Sequence, residues 1–238
     1  MSDETSDVDV HHTAGGVGAT GSACVVFDLD GVIVASEYLW EEGWAHAARS
    51  RGAEWTARDT SACQGSSVGE WSDYVAERTG LSSSQARDHV ISYVTGVYDS
   101  GVVDLLPGAA DMVRSAASRV PVGLATSAPR EVIERVVARP ELSGCFTVTV
   151  SSAEVARGKP SPDVYAAAVS RLHCDPADSF AVEDSSNGIR AASAAGLTVL
   201  GLEHQQYPIA PDARALTRAV FTSAGELSAH LMAQLDAR

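Results

Sequence analysis

Cysteine is scarce in this chain of 238 residues, and no two cysteines lie close together in the sequence. The four are Cys24, Cys63, Cys145 and Cys174. Such wide spacing excludes the paired motifs of a zinc site and the dense framework of a disulfide-stabilised secreted domain. Cys24 moreover falls in a predicted buried strand. We therefore expect reduced thiols and a cytoplasmic protein.

Long apolar runs are also missing from the sequence. No stretch of about twenty apolar residues occurs, so no membrane span is predicted. Residues 1–20 are acidic and small, and they contain neither a cationic start nor an apolar segment. We expect these residues to form a disordered tail and not a signal peptide.

Positive charge is in short supply. The chain has 17 lysines and arginines against 31 aspartates and glutamates, a formal net charge of −14. This acidity repels nucleic acid backbones and anionic membrane surfaces, so neither is an expected partner. An anionic substrate has to be met by local cations or by a metal ion. With 45% hydrophobic and 20% charged residues, the composition is otherwise that of a globular protein with a sizeable core, and we expect a small substrate.

An apolar run that ends in two carboxylates and a glycine, from Cys24 to Val32, is the most informative stretch of the chain. It predicts a strand buried on both faces, as in a parallel sheet covered by helices. Asp28 and Asp30 stand at its carboxyl end, the edge at which open α/β sheets bind ligands. Because strand residues alternate between faces, both carboxylates can reach one site. One can attack phosphorus while the other moves a proton; the alternative is a turn whose acids cap backbone amides.

The following stretch, from Ser36 to about Gly101, has helical patterning and lacks strong strand signals. Helix starts are predicted at Ser66, which is followed by Glu70, and at Ser82–Ser84, just before Gln85. Four helices placed directly after the first strand predict an all-helical insertion.

From residue 106 the pattern alternates between helix and strand, which predicts a doubly wound parallel sheet with right-handed crossovers. The expected helices are 109–119, 130–139, 162–172, 187–195 and one at the C-terminus, and the expected strands are 121–125, 146–150, 180–182, 198–202 and 220–221. The predicted fold class is therefore α/β. Residues 21–35 and 106–238 would form a core domain, and residues 36–105 a helical cap domain inserted after its first strand.

Groups suited to phosphate recur along the expected carboxyl edge of this sheet. Thr126 and Ser127 precede a helix whose free amides would favour an anion, although hydroxyls in that position are also common helix caps. Lys159 lies between Gly158 and Pro160, which fix the local backbone. It can neutralise phosphate and keep a neighbouring carboxylate ionised, whereas most lysines are simply solvated.

A last pair of acids, Glu183 and Asp184, follows another short apolar strand. Mg²⁺ prefers an octahedron of oxygen ligands. Asp28, Asp184 and the main-chain carbonyl of Asp30 could supply them, with Glu183 acting through water. Asp184 could instead only cap the next helix, but four strand ends with matching chemistry argue against that alternative.

Together these stretches resemble the haloacid dehalogenase superfamily, in its phosphatase and β-phosphoglucomutase-like branch with a helical cap. The motifs that carry the resemblance are, in family order, Asp28-Leu29-Asp30-Gly31-Val32, Thr126-Ser127, Gly158-Lys159-Pro160 and Glu183-Asp184-Ser185-Ser186-Asn187-Gly188-Ile189. The resemblance extends from about residue 23 to the end of the chain. It implies the superfamily's Rossmann-like core, a cap that closes over the substrate, and phosphoryl transfer.

The resemblance also implies a role for each matched residue. Asp28 would be the nucleophile, and Asp30 the general acid and then the base that activates water. Thr126 and the backbone after it would bind the transferring phosphoryl group, and Lys159 would hold phosphate against Asp28. Mg²⁺ is the implied cofactor, ligated directly by Asp184.

The chain departs from the sugar phosphomutases in the cap. Trp40 stands at the position of the mutase histidine, and the stretch Gln64–Val68 lacks the arginine expected in the specificity loop. Ser36 and Glu37 resemble the Asp-Ser-Glu of many phosphatases, with Ala35 in place of the aspartate. We therefore expect a phosphatase. A mutase and a catalytically idle relative that binds a metabolite or a protein are the alternatives.

Substrate choice in this branch is set by the cap. Our candidates for substrate contact there are Ser36, Glu37, Gln64 and Gly65. The cap also offers Glu41, Trp44, Trp71 and Arg78, and for the tryptophans we expect packing between helices. The expected function is Mg²⁺-dependent hydrolysis of a small phosphorylated metabolite, such as a sugar phosphate, through an aspartyl-phosphate, by a monomer or small homo-oligomer.

Overall fold

A parallel sheet of six strands forms the centre of the molecule. A computed structural model of the protein describes residues 22–64 and 66–237. The strands lie in the order β3-β2-β1-β4-β5-β6, and each is parallel to its neighbours. They are β1 (Val25–Phe27), β2 (Val122–Thr126), β3 (Val148–Ser151), β4 (Phe180–Glu183), β5 (Thr198–Leu202) and β6 (Ala219–Phe221). The sheet confirms the predicted α/β class.

Helices cover both faces of the sheet, as the apolar run of β1 requires. Val25 and Phe27 pack into one core cluster, whereas Val26 packs into the other. The helices outside the cap are α5 (Ala109–Ala117), α6 (Arg130–Val137), α7 (Asp163–Leu172), α8 (Ser186–Ala194), α9 (Pro211–Arg214) and α10 (Ala224–Asp236). α5, α6 and α10 lie on the first face and α7, α8 and α9 on the second, so the sheet is doubly wound.

Four helices lie between β1 and α5 and form the predicted cap. They are α1 (Glu37–Ser50), α2 (Ala57–Cys63), α3 (Val68–Thr79) and α4 (Ser83–Asp99). The start predicted at Ser82 is confirmed, because its side chain and that of Gln85 form a capping box. The start predicted at Ser66 is one residue early. Ser67 caps α3, since only Ser67 stands three residues before Glu70.

Element ends differ from the predictions where a neighbour decides them. β3 begins at Val148 and not at 146, because its pairing with β2 begins at the Gly123–Val148 pair. α6 ends at Val137, since Pro140 holds Arg139 in an extended conformation. The sequence analysis missed α9 and three turns of 3-10 helix, which are too short to show a hydrophobic period.

Two chain crossings connect the cap to the sheet. Val34 and Leu105 form an antiparallel bridge, and the amide of Leu106 donates to the carbonyl of Ile33 at 2.9 Å. The domain boundaries at 35/36 and 105/106 stay predictions. The predicted disordered tail, residues 1–20, lies outside the described residues. Within the described part of the chain, no helix combines the length and apolarity that a membrane crossing requires.

Candidate active site

Asp28 and Asp184 lie at the same edge of the sheet because β1 and β4 are neighbours. Phe27, the last residue of β1, pairs with Val182, and the Asp28 amide continues the ladder by donating to the Val182 carbonyl at 3.0 Å. Both carboxylates are buried, with exposures of 6% for Asp28 and 5% for Asp184. Topology therefore brings together two acids that are far apart in sequence.

Lys159, the chain's single lysine, joins these two strand ends. Its Nζ lies 2.7 Å from Asp28 Oδ1 and 2.6 Å from Glu183 Oε1. The side chain is buried, and the Tyr165 ring lies beside its ammonium, with 5.1 Å between Nζ and the ring centroid. Charges this deeply buried are tolerated only when they are paired and hydrogen-bonded. The solvated-lysine alternative is thus wrong for Lys159.

The pKa values of this pair move in the same direction for different reasons. Burial raises the pKa of Asp28 well above its usual value, and the Lys159 ammonium acts against that shift. Desolvation alone would lower the pKa of Lys159, but the charges of Asp28 and Glu183 outweigh it and the pKa is raised. Lys159 is therefore a permanent cation, and Asp28 depends on nearby positive charge to stay ionised.

Glu183 is saturated with hydrogen bonds. Lys159 and the Tyr165 hydroxyl donate to Oε1, the latter at 2.8 Å, and the Asp184 amide with the amide and hydroxyl of Ser185 donate to Oε2. A Cβ on Gly188 would collide with this carboxylate. Glu183 thereby anchors Lys159, and its contact with a metal through water stays a prediction.

Asp30 is held from the cap side. The Ser36 hydroxyl donates to Asp30 Oδ1 at 2.5 Å, and the Trp40 indole nitrogen donates to the same oxygen at 3.0 Å. Both donors therefore stabilise the ionised form of Asp30. Desolvation raises the pKa of Asp30, and the bonds from Ser36 and Trp40 oppose the shift. Asp30 thus keeps its proton to a higher pH than an exposed aspartate does.

Thr126 and Ser127 end β2 beside the two acids. The Thr126 hydroxyl accepts a hydrogen bond from the Ala128 amide at 3.0 Å, and the Ser151 hydroxyl donates to the Ala128 carbonyl at 2.7 Å. These two bonds fix the turn. Thr126, Ser127 and Ala128 all line the cavity that contains Asp28.

Gly31 allows the loop after Asp30 to lie against Asp184. Its φ is +72°, and a Cβ there would collide with the Asp184 carboxylate. On its other side His204, in the loop after β5, donates from Nε2 to the Gly31 carbonyl at 2.6 Å. Glycine at this position thus satisfies both the left-handed backbone and the close approach.

The residues at this edge fit a divalent cation. Asp28, Glu183 and Asp184 each offer a carboxylate oxygen, and these oxygens lie within 4.8 Å of one another. All three groups are buried, and carboxylate oxygens are the ligands that Mg²⁺ prefers. Three carboxylates and one ammonium leave two negative charges, which one divalent cation would neutralise.

The cap closes the cavity from above. Trp40, Trp44, Ser66 and Trp71 line it together with residues of the core. Its volume is about 80 Å³, whereas pockets that enclose drug-sized ligands begin at roughly 300 Å³. The space between the cap and the core is therefore small.

The structure separates the candidates for substrate contact in the cap. Ser36 is buried on Asp30, and Gln64 lines a neighbouring polar cleft with Asn187 and Tyr207. Arg78 forms an ion pair with Asp59 inside the cap. Gly65 lies outside the described residues, as does the side chain of Glu37. The sequence analysis missed a second role of two tryptophans: Trp44 and Trp71 pack as expected, but they also line the cavity.

The chain matches the family of haloacid dehalogenase-like hydrolases over residues 23–196. It belongs to this family. The matched segment contains each of the four motifs described above. Family membership therefore confirms the resemblance and identifies the chain as a hydrolase of this fold.

Several curated relatives are phosphatases. The chain is 32% identical over 183 residues to a bifunctional riboflavin kinase/FMN phosphatase of Arabidopsis thaliana, a match covering 76% of this chain but only 48% of that protein. It is 31% identical over 179 residues to the validoxylamine A 7'-phosphate phosphatase of Streptomyces hygroscopicus, covering 74% of this chain and 84% of that one. A phosphorylated carbohydrates phosphatase of Thermotoga maritima is also 31% identical, and the match covers 76% of this chain and 85% of that protein.

Solved structures share the fold. CbbY from Rhodobacter sphaeroides in complex with phosphate aligns with a TM-score of 0.74 at 23% identity, covering 86% of this chain and 95% of that one. The β-phosphoglucomutase of Clostridium difficile aligns with a TM-score of 0.75 at 20% identity, covering 90% and 97%. These alignments support the assignment of a sheet core with a helical cap.

Proposed function

We propose that this protein is a Mg²⁺-dependent phosphatase that hydrolyses a small phosphorylated metabolite through an aspartyl-phosphate on Asp28. The observation that carries the proposal is the buried bridge from Lys159 to Asp28 and Glu183, next to Asp184. Phosphoryl transfer requires mainly positioning and charge neutralisation, and this cluster supplies both. The phosphatases among the relatives at 31–32% identity support the reaction class.

The chain's own groups account for both half-reactions. An Asp28 carboxylate oxygen attacks the phosphorus atom, the bond from phosphorus to the ester oxygen breaks, and Asp30 protonates the leaving alcohol. Asp30, now ionised, then takes a proton from a water molecule, whose oxygen attacks the phosphorus and releases the Asp28 carboxylate. Lys159 neutralises a phosphoryl oxygen, and the turn at Thr126 and Ser127 positions the group.

The metal would sit among Asp28, Asp184 and the carbonyl of Asp30. When bound, Mg²⁺ neutralises phosphoryl charge and holds the group in line for attack. A cation held there would also favour the ionised form of Asp28, because burial alone favours its acid form.

The lining of the cavity favours a phosphatase over a sugar phosphomutase. A mutase has to hold an intermediate with two phosphates, which requires a second cationic site. Among the cavity-lining groups of residues 22–64 and 66–237, Lys159 is the one cation, and it already faces Asp28. The four cysteines are free thiols, in keeping with the reducing cytoplasm that we propose as the compartment.

The test is phosphate release from a panel of sugar, polyol and small acid phosphates, with Mg²⁺ and with EDTA. We expect metal-dependent release that Asp28→Asn lowers on the order of 10⁴-fold or more, the scale seen when a nucleophile is removed. Asp236→Asn, an exposed acid paired with Arg119, is the matched control and should retain wild-type release.

Each other outcome has a defined meaning. Undiminished release by Asp28→Asn would exclude the aspartyl-phosphate. Conversion of a hexose 1-phosphate to its isomer without release would identify a mutase. A folded wild type that acts on no ester would identify an idle binding protein.

A further inference from the structure

Three indole rings of the cap form one wall of the catalytic cavity. Trp40 and Trp44 lie on α1 and Trp71 on α3, and all three line the cavity. Ring centroids are 6.2 Å apart for Trp40 and Trp71 and 6.4 Å apart for Trp44 and Trp71. The opposite wall carries the carboxylates and Lys159. A ligand between them would meet phosphate chemistry on one side and aromatic rings on the other.

The indole N–H of Trp44 differs from those of Trp40 and Trp55. Trp40 donates to Asp30 at 3.0 Å, and Trp55 donates to the Thr60 hydroxyl at 3.1 Å. Trp44 is 5% exposed, and its Nε1 is buried without a hydrogen-bond partner among the described residues. Buried tryptophan N–H groups normally find a partner, because an unmade bond costs stability. Because Trp44 also lines the cavity, a molecule bound there is the candidate partner for this N–H once the cap opens around it.

We propose that Trp44 is a specificity-determining residue, whose N–H donates a hydrogen bond to an oxygen in the alcohol part of the substrate. This inference rests on the proposed phosphatase function. An indole N–H can only donate, so the substrate presents an acceptor there, such as an ether, carbonyl or hydroxyl oxygen. Among the described side chains, the cap side of the cavity has rings and the Ser66 hydroxyl but no charged group. The substrate class is therefore a monophosphate ester of a neutral alcohol with an apolar ring or C–H face.

A series of isosteric esters isolates the hydrogen bond. Cyclohexylmethyl phosphate has no acceptor in its ring, and its three tetrahydropyranylmethyl analogues replace one ring CH₂ by oxygen at position 2, 3 or 4. The measurement is kcat/KM, by phosphate release with Mg²⁺, for wild type, Trp44→Phe and Trp55→Phe. Trp55→Phe is the matched control, because it also removes an indole N–H but lies outside the cavity lining.

We expect wild type to favour at least one ether over the cyclohexyl ester by about tenfold, equivalent to about 1.4 kcal/mol. Trp44→Phe should reduce this preference to within about twofold, whatever its activity on the cyclohexyl ester, and Trp55→Phe should keep the preference. An unchanged preference in Trp44→Phe would overturn the proposal. So would an equal loss on all four esters, or a wild type that favours none of the ethers.

A binding measurement separates this inference from the proposed function. Calorimetric titration of the same esters into Asp28→Asn, with and without Trp44→Phe, detects the hydrogen bond when no ester is hydrolysed. If wild type released no phosphate but Asp28→Asn bound an ether more tightly in a way that depends on Trp44, the proposed phosphatase function would be wrong. The proposed role of Trp44 in binding would still hold. Equal affinities for all four esters would overturn the role of Trp44 even in an active phosphatase.

Discussion

At the residue scale, Lys159 is the group on which the site depends most. Its ammonium is the cation between Asp28 and Glu183, and it lies in a buried environment. Removing one partner of a buried charge cluster leaves the others unpaired, which costs about 3–5 kcal/mol. Lys159 thus contributes to the folded state as well as to the phosphate binding that we propose for it.

We predict that Lys159→Met lowers the free energy of unfolding by about 3–5 kcal/mol at neutral pH, measured by urea denaturation with and without Mg²⁺. Without the ammonium, the pKa of Asp28 rises further above its unfolded value. The folded variant then holds the Asp28 proton to a higher pH than folded wild type does, so its deficit relative to wild type should shrink as the pH is lowered from neutral. A deficit that grows as the pH falls would contradict this account.

At the scale of elements, the cap depends on the start of α2. Asp59 accepts hydrogen bonds from the amide and hydroxyl of Thr56, at 2.8 and 2.6 Å, and from the Tyr74 hydroxyl at 2.8 Å. Arg78 on α3 forms an ion pair with it at 2.9 Å. One carboxylate therefore caps α2 and links it to α3.

The same carboxylate makes the stability of the cap dependent on pH. The donors of Thr56, with Tyr74, lower the pKa of Asp59 from 3.8 to about 2. For an acid with a lowered pKa, the stabilisation is complete above the unfolded pKa and is lost as the pH falls through the folded one.

We predict that Asp59→Asn lowers the melting temperature by a constant amount between pH 5 and 8, and that the difference from wild type disappears as the pH falls from about 4 to about 2. Thermal unfolding followed by circular dichroism checks this. Asp88→Asn, an exposed acid on α4, is the control and should show no such difference. A gap that persists at pH 2 would show that the charge of Asp59 is not responsible.

Much of the architecture could be predicted from sequence, because each inference rested on a local pattern. The predicted bounds of β5, 198–202, match the structure, and the first strand, the cap and the doubly wound order are confirmed. The errors occur where a partner elsewhere in the chain decides where an element begins or ends. The start of β3, for example, is set by its pairing with β2.

Within the site, too, prediction from sequence fails for contacts that depend on a partner elsewhere in the chain. The sequence motifs pointed to Asp28, Asp30, Lys159 and Asp184, and the structure brings these residues to one edge of the sheet. Nothing in the sequence indicates that Tyr165 donates to Glu183, because that contact depends on how α7 packs against the sheet. For Trp44, the helical pattern alone could not separate packing between helices from a place in the cavity wall.

At the scale of the whole molecule, cap and core also meet next to Lys159. A Cβ at Gly158, which precedes Lys159, would lie 3.0 Å from the Cβ of Ser67 at the start of α3. The cavity between cap and core has a volume of about 80 Å³, well below the roughly 300 Å³ at which ligand pockets begin. We therefore expect the cap to move away from the core during turnover.

We predict that a disulfide between Ser67→Cys and Gly158→Cys stops turnover by holding the cap closed. A shift of under about 1 Å brings the two Cβ atoms to the separation of roughly 3.8 Å that a disulfide needs. Oxidation should lower phosphate release by at least about tenfold, and dithiothreitol should restore it. The single variants are controls for the native thiols. Full activity in a crosslinked double variant would show that opening takes place elsewhere.

The burial of Lys159 has a consequence for the chemistry of the protein's surface. Every other cationic side chain of this sequence is an arginine, so no lysine amine is available at the surface, and the one that exists is protonated and enclosed. Acylating reagents that decorate most proteins at many lysines have a single side-chain target here, and it is reached only when the core opens. The rate at which Lys159 is acylated thus reports how often this buried site opens to solvent.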